Sequence, residues 1–333
     1  MEAILLVGGL GTRLHPLTLT TAKPMLPLGN TPITEHQLRR AASIGIKRVV
    51  LSTSYLSDSF RTYFEDGSRW GLQLIYAIED EPLGTAGAIR HAARYLESHA
   101  PVFIFNGDVI SHHSLTKQLE LHTEREADVT LHLLPVNDVR PYGKVSITSD
   151  LRITEFVEKP QSQTAVEGVI NAGCYIFNPQ VIEDIPEGRP VSVEREIFPK
   201  LLLQDRTLVG HLEDSYWLDL GTPTRYLKAN LDLLKSKQSQ IGEATISSPE
   251  LIEHSVIGFN VTIGANVSIS NSLILDGVNI GENSHISHTI LGNNVNVHPN
   301  TRLDGVVAGD NLTLSGQTFP QSDSIGAIAT SEL

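Results

Sequence analysis

Between residues 251 and 316 aliphatic side chains return every six residues: Ile257, Ile263, Ile269, then Ile274, Ile280, Ile286, then Leu291, Val297, Leu303. Glycine often follows, as in Ile257-Gly258, Ile263-Gly264, Ile280-Gly281 and Leu291-Gly292. A six-residue beat of this kind is the signature of a hexapeptide β-helix. Each hexad makes one short strand, its aliphatic side chain fills the interior of a prism, and three hexads complete a coil. The two steps of five mark irregular corners. Coils stack only on their neighbours, so an exposed end needs a cap or a partner. This predicts a homo-oligomer built through the repeat, which would serve assembly rather than chemistry.

Residues 1 to 236 follow a different rhythm. Strand candidates lie at 4–7, 48–53, 74–77, 102–105, 129–134, 144–147 and 173–177. Helix candidates lie at 33–43, 57–64, 86–97 and 114–124. Strand–helix alternation predicts an α/β, Rossmann-like, mostly parallel sheet flanked by helices. Ligands in such sheets sit at the carboxyl ends of strands. Two domains are expected, 1–236 and 245–320, joined by a polar segment. Thr222-Pro223 reads as an N-cap and first-turn proline opening the last helix of the first domain.

The first strand runs into Gly8-Gly9-Leu10-Gly11-Thr12-Arg13, closed further on by Lys23-Pro24. Glycines allow close backbone approach and positive φ. Successive N–H groups in such a turn form an anion-binding concavity. Arg13 adds a fork of donors suited to phosphate oxygens and Lys23 a point charge. Pro16 and Pro24 favour a fixed loop over a helix between the two cations. The string is neither a dinucleotide fingerprint, because Leu14 fills the last slot, nor a Walker loop, because Thr12-Arg13 follows Gly11.

A net charge of −13 over 333 residues argues against nucleic acid. Phosphate must therefore be held by a local cluster of cations. The single Cys174 excludes an internal disulfide and a multi-cysteine zinc site. Cys174 reads as a small buried residue in a strand. The N-terminal apolar run is too short for a signal sequence, and no stretch reaches about 18 apolar residues. A cytoplasmic protein without membrane contact is expected.

The glycine–arginine–lysine string resembles the signature of the sugar-1-phosphate nucleotidyltransferases. Four further strings strengthen the resemblance: Glu81-Pro82-Leu83-Gly84-Thr85-Ala86-Gly87, Phe105-Asn106-Gly107-Asp108, Phe156-Val157-Glu158-Lys159-Pro160 and Trp217-Leu218-Asp219-Leu220-Gly221-Thr222-Pro223. Many members of that family append a left-handed parallel β-helix, which the C-terminal repeat resembles. The resemblance implies catalytic roles for Arg13 and Lys23 on the triphosphate and for Lys159 on the sugar phosphate. It implies nucleotide contacts at Leu6, Gly8, Gly9, Gly11, Thr12, Glu79, Gly84, Thr85 and Asn106. Sugar contacts fall at Gly143, Glu158 and Asn171, and Mg²⁺ ligands at Asp108 and Asp219. Ser192-Val193-Glu194-Arg195-Glu196 and Ile170-Asn171-Ala172-Gly173 place the likeness nearest the branch that joins GTP to mannose 1-phosphate.

At Glu79 the residue chemistry agrees, because guanine presents two donors and an ionised carboxylate accepts both. Glucose 1-phosphate with a thymidine, uridine or adenine nucleotide remains an alternative. So does a catalytically silent subunit that binds nucleotide sugar. A third alternative is an acyltransferase using a repeat histidine: His254, His285, His288 or His298.

Overall fold

The computed structural model describes all residues except 10, 54–56, 163, 235–237, 319–325 and 329–333. Leu10 of the glycine string, the domain boundary expected at 236 and the end expected at 320 lie outside the described residues. The chain divides into two compact units. One comprises Met1–Gly9 and Thr34–Leu218, the other Leu10–Ile33 and Asp219–Leu333.

The first unit is built on strands β1 (Glu2–Leu6), β2 (Arg48–Thr53), β3 (Gln73–Ile78), β4 (Val102–Asn106), β5 (Val109–Ser111), β6 (Val129–Val136), β7 (Gly143–Ile147), β8 (Ile153–Glu158), β9 (Gly168–Phe177) and β10 (Leu208–Leu212). All but β5 share one sheet, ordered β8-β7-β9-β4-β1-β2-β3, with β6 and β10 branching from β9. The β4-β1-β2-β3 portion is parallel. There the rhythm of strands and helices α1 (Ile33–Ser43), α2 (Ser57–Phe64) and α3 (Gly84–Ala93) is the expected one. The β7, β8 and β9 strands pair antiparallel, so the sheet is mixed. Sequence rhythm missed this because hairpins such as β7–β8 have no helix to announce them. Ala3, Ile4 and Leu5 are buried on both faces of β1, which is why it reads as a continuous apolar run rather than an alternation. Helix α4 (Leu115–Glu124) is capped by Ser114, and α5 (Pro179–Glu183) and α6 (Phe198–Leu203) complete the unit.

In the second unit the predicted repeat forms three parallel ladders, one on each face of a prism. Leu273 pairs with Val256 and with Ile290, a shift of 17 residues per coil. Between Ile257 and Leu303 each coil is therefore two hexads and one pentad, and the five-residue step is its third corner. All nine beat residues lie in one buried cluster. At the shortened corner the buried hydroxyls of Ser255, Ser272 and Thr289 accept from Ser272, Thr289 and Val306 N–H groups of the next coil. Asn266, Asn283, Asn294, Asn300 and Asn311 take positive φ at other turns, a conformation asparagine tolerates better than most residues. Before the repeat, Thr222 caps helix α7 (Pro223–Asp232), with proline in the first turn as expected.

Candidate active site

In the first unit, β1 ends beside Glu79. An ideal Cβ built on Gly8 would lie 3.6 Å from the Glu79 carboxylate, so glycine leaves that side open. Ser52 Oγ donates to Glu79 Oε1 at 2.9 Å, and the Leu83 N–H donates to Oε2 at 3.1 Å. The carboxylate is thus oriented by two donors and keeps lone pairs for a third and fourth. Glu79, Asp80 and Glu81 also line a cavity of about 400 Å³ walled by Arg90, Arg94 and Arg189.

Gly84 opens α3 at φ +70, where a Cβ would stand 2.6 Å from the Val191 carbonyl oxygen. That carbonyl accepts the Ala86 N–H at 2.9 Å. The Thr85 hydroxyl donates to Glu194 at 2.9 Å and accepts from the Val193 N–H at 2.8 Å. The Thr85 side chain therefore ties two segments of the unit together.

The turn after β4 is packed onto β1. Gly107 donates to the Leu6 carbonyl at 2.9 Å, and a Cβ on Gly107 would sit 2.3 Å from that oxygen. Only glycine fits, and this fixes Asn106 and Asp108 on either side. Asn106 Oδ1 is buried with no protein partner, an acceptor of the kind that a ligand hydroxyl satisfies. Gly173, at φ +77, faces Asn106 Nδ2. Asn171 donates to Tyr175 Oη at 2.8 Å and accepts the Gly173 N–H at 3.1 Å. The β9 register shifts between Asn171 and Tyr175, so the two asparagines flank a bulge, a device that re-aims side chains next to sites.

A second wall gathers the expected sugar positions. Gly143 and Glu158 are register partners across β7 and β8, and a Cβ on Gly143 would lie 3.0 Å from Glu158 Oε2. Lys159 follows at φ +49, its N–H held by the Tyr142 carbonyl at 2.9 Å. A lysine held at positive φ is uncommon, and such backbone outliers cluster at functional sites. Its ammonium lies 3.6 Å from Glu158 and remains largely exposed. Tyr142 packs edge-on against Trp217, whose indole N–H donates to the Ala172 carbonyl.

In the second unit three 3₁₀ turns, Thr12–Leu14, Leu17–Leu19 and Lys23–Met25, form the loop that carries both cations. Gly9, with φ +111, and Gly11, with φ +60, use the conformational freedom expected of them. A Cβ on Gly11 would meet Lys23 Cβ at 3.1 Å, and Thr18 Oγ1 donates to the Gly11 carbonyl. The loop thus folds Lys23 back onto Gly11, which precedes Thr12 and Arg13 in the chain. At its far side, a Cβ on Gly221 would stand 2.7 Å from Asp219 Oδ1 and 2.9 Å from Arg13 Nη2. Asp219 Oδ2 accepts from Arg225 Nη1 at 2.7 Å.

Sequence reasoning passed over Ser52, which orients Glu79, and Arg225, which pairs with Asp219. Ser52 had no signal, because its partner is 27 residues away. Arg225 had one. It occupies the first turn of α7, where no acidic residue stands and the helix dipole disfavours a cation. A misplaced charge there asks for a carboxylate.

As for a metal, among the described residues no group of three or more His, Cys, Asp or Glu could hold one. Asp108 in the first unit and Asp219 in the second each offer hard carboxylate oxygens. That suits Mg²⁺, which keeps several waters and is completed by phosphate oxygens. Among the described residues no helix is long and apolar enough to cross a membrane.

Comparison with known proteins matches residues 2–236 to the Nucleotidyl transferase family and residues 226–318 to the EIF2B subunit epsilon LbH domain, a left-handed β-helix. A mannose-1-phosphate guanylyltransferase of Mycobacterium tuberculosis is 45% identical over 236 residues, 71% of this chain and 65% of that protein's length. A mannose-1-phosphate guanylyltransferase catalytic subunit beta of Drosophila pseudoobscura is 35% identical, over 80% of this chain and 72% of its own length. Among solved structures, HddC from Yersinia pseudotuberculosis complexed with GMP-PN is 30% identical. It superposes with a TM-score of 0.60 over 70% of this chain and 99% of HddC.

Proposed function

We propose that this chain, which belongs to the Nucleotidyl transferase family, transfers GMP from GTP to mannose 1-phosphate, releasing pyrophosphate and forming GDP-mannose. The observation that carries the reading is the loop of the second unit, where Gly11, at φ +60 and two residues before Arg13, lies against Lys23. The names of the relatives support the choice of guanine and mannose.

The reaction brings two anions together. A phosphate oxygen of mannose 1-phosphate attacks the α-phosphorus of GTP in line with the leaving pyrophosphate. That oxygen is already ionised, so no general base is required. Positioning and charge stabilisation carry catalysis. Arg13 and Lys23 stabilise the pyrophosphate as it leaves, and Lys159 holds the attacking phosphate. Glu79 accepts from the guanine edge. Leu6, Gly8, Gly9, Gly11, Thr12, Gly84, Thr85 and Asn106 frame the nucleotide. Gly143, Glu158 and Asn171 contact the sugar. Asp108 and Asp219 are the residues that would hold Mg²⁺, whose chemistry is to neutralise phosphate charge. The β-helix supports a homo-oligomer.

The test is a panel of GTP, dTTP, UTP and ATP against mannose 1-phosphate and glucose 1-phosphate, with pyrophosphate release measured. The highest kcat/KM is expected for GTP with mannose 1-phosphate. Preference for another pair reassigns the substrates, and no release with any pair removes the reading.

A further inference from the structure

Over residues 11–32 the loop has three 3₁₀ turns, no α-helix and a two-residue ladder between Pro27–Leu28 and Thr31–Pro32. Ordering such a segment costs backbone entropy, which anchors from outside the loop help to offset. Two of its outside anchors lie on the repeat. Thr20 Oγ1 donates to Asp310 Oδ2 at 2.5 Å. The other oxygen of Asp310 accepts the Asn293 N–H of the preceding coil at 2.7 Å, which fixes the carboxylate. The neighbouring Gly309 has no side chain where a Cβ would stand 3.0 Å from Pro16. Further along, Asn30 Nδ2 donates to the carbonyl of Ile257, a beat residue of the repeat, at 2.9 Å. Just before the repeat, Gln240 donates to the Gly29 carbonyl at 2.7 Å. Pro16 and Thr20 lie between Arg13 and Lys23, and Gly29 and Asn30 lie beyond Lys23.

We infer that the β-helix is a working part of the triphosphate loop, with Asp310 a positioning residue for Arg13 and Lys23. The coil corner at Gly309 and Asp310 clamps the arch between the two cations, and the Ile257 carbonyl pins its outgoing limb. The repeat thereby pre-organises the loop for a polyphosphate anion, in addition to any role in assembly. Preorganised cations stabilise developing charge without reorganisation during the reaction.

The inference rests on the proposed role of Arg13 and Lys23, and the experiment separates the two. The full-length chain is assayed in both directions, with GTP and mannose 1-phosphate and with GDP-mannose and pyrophosphate. Thr20→Val removes only the loop's hydroxyl, at an exposed position. Losing this exposed hydrogen bond makes the KM values for GTP and pyrophosphate rise about threefold to tenfold. The KM for mannose 1-phosphate stays unchanged, and Thr20→Ser restores wild-type values. Asp310→Asn acts in the same direction, and the double variant is no worse than the more affected single. Unchanged constants in Thr20→Val, or equal rises for all substrates, overturn the inference. Arg13→Ala and Lys23→Ala serve as controls. If they raise the GTP and pyrophosphate KM while Thr20→Val does not, only the inference falls. If they leave both constants unchanged, the reading of the loop falls and the inference with it.

Discussion

Glu79 gives one oxygen to Ser52 and the other to the Leu83 N–H, and this makes a clean substitution possible. In Glu79→Gln the amide oxygen still accepts from Leu83, and the Ser52 hydroxyl can turn to accept from the amide nitrogen. The loop survives while one acceptor facing the base becomes a donor. The preference for GTP over dTTP or UTP in kcat/KM should fall roughly tenfold or more, at about 1–3 kcal/mol for a bidentate base contact. An unmoved ratio would assign base reading to backbone groups around Gly84. Gly221 offers a second test. Gly221→Ala places a methyl within 2.7 Å of Asp219 Oδ1 and 2.9 Å of Arg13 Nη2. Both atoms end flexible side chains, so the thermal midpoint should shift little while kcat drops at least tenfold, the order expected when charged groups are displaced by about 1 Å. Wild-type turnover in this variant would show that neither atom works from where it stands. At this scale a sequence points to a role where a residue type has one main chemical use, as the guanidinium of Arg13 points to phosphate. It is silent where function depends on a partner far along the chain, as with Ser52.

Among elements, the repeat was the most legible, because its period is imposed by a prism that admits one aliphatic residue per face. The pentad step was visible in the spacing from Ile269 to Ile274 and read as a corner, but what fills that corner was not visible. A corner shortened by one residue needs the ladder of buried hydroxyls from Ser255 to Thr289, and hydroxyls look the same in a sequence whether buried or exposed. The antiparallel β7–β8 hairpin escaped for a related reason, since strand direction is set by pairing and not by local pattern. Pro16 and Pro24 pointed to a loop between the two cations, yet its attachment to the repeat rests on Thr20 and Asp310, 290 residues apart. The energetics of the prism can be measured directly. Ile280 is buried among beat residues, and Ile280→Ala should cost about 2–5 kcal/mol, with Ile280→Val costing about 0.5–1.5 kcal/mol. Denaturant unfolding checks both. Equal, small losses would mean the prism collapses around the cavity.

For the whole molecule, acid stability is expected to draw on buried histidines that no motif announced, His122 among them and three others in one cluster. His113, His132 and His211 come from different parts of the first unit and are all buried. The His113 and His132 rings stack at 3.6 Å, with His211 at 6.0 and 6.3 Å. His113 accepts at Nδ1 from Arg40 and donates from Nε2 to Gln118, the pattern of a neutral ring. Ser111 also meets His113 Nδ1, and Glu213 meets His211 at 3.0 Å. Cys174 lies against Gln118, its thiol pushed up to about 12 by burial and so inert near neutrality. Both ring nitrogens of His132 are buried, with no side-chain hydrogen-bond partner among the described residues. Burial, the neighbouring His211 and Arg40 push its pKa down to about 3, and burial lowers those of His113 and His211 too. Unfolded histidines titrate near 6.5, so below that pH the unfolded chain binds more protons than the folded one. Stability is then full above about 6.5 and declines as pH falls, by about 1.4 kcal/mol per unit for each such group, until the folded pKa is reached. For His132 that window runs from about 6.5 down to about 3. His132→Leu removes one titrating group without adding a donor or acceptor. The thermal midpoint of the wild type should fall faster than that of the variant between pH 7 and pH 4.5, the curves converging or crossing in acid. Parallel curves would show that His132 does not couple protonation to folding, and the acid sensitivity would then belong to His113 and His211.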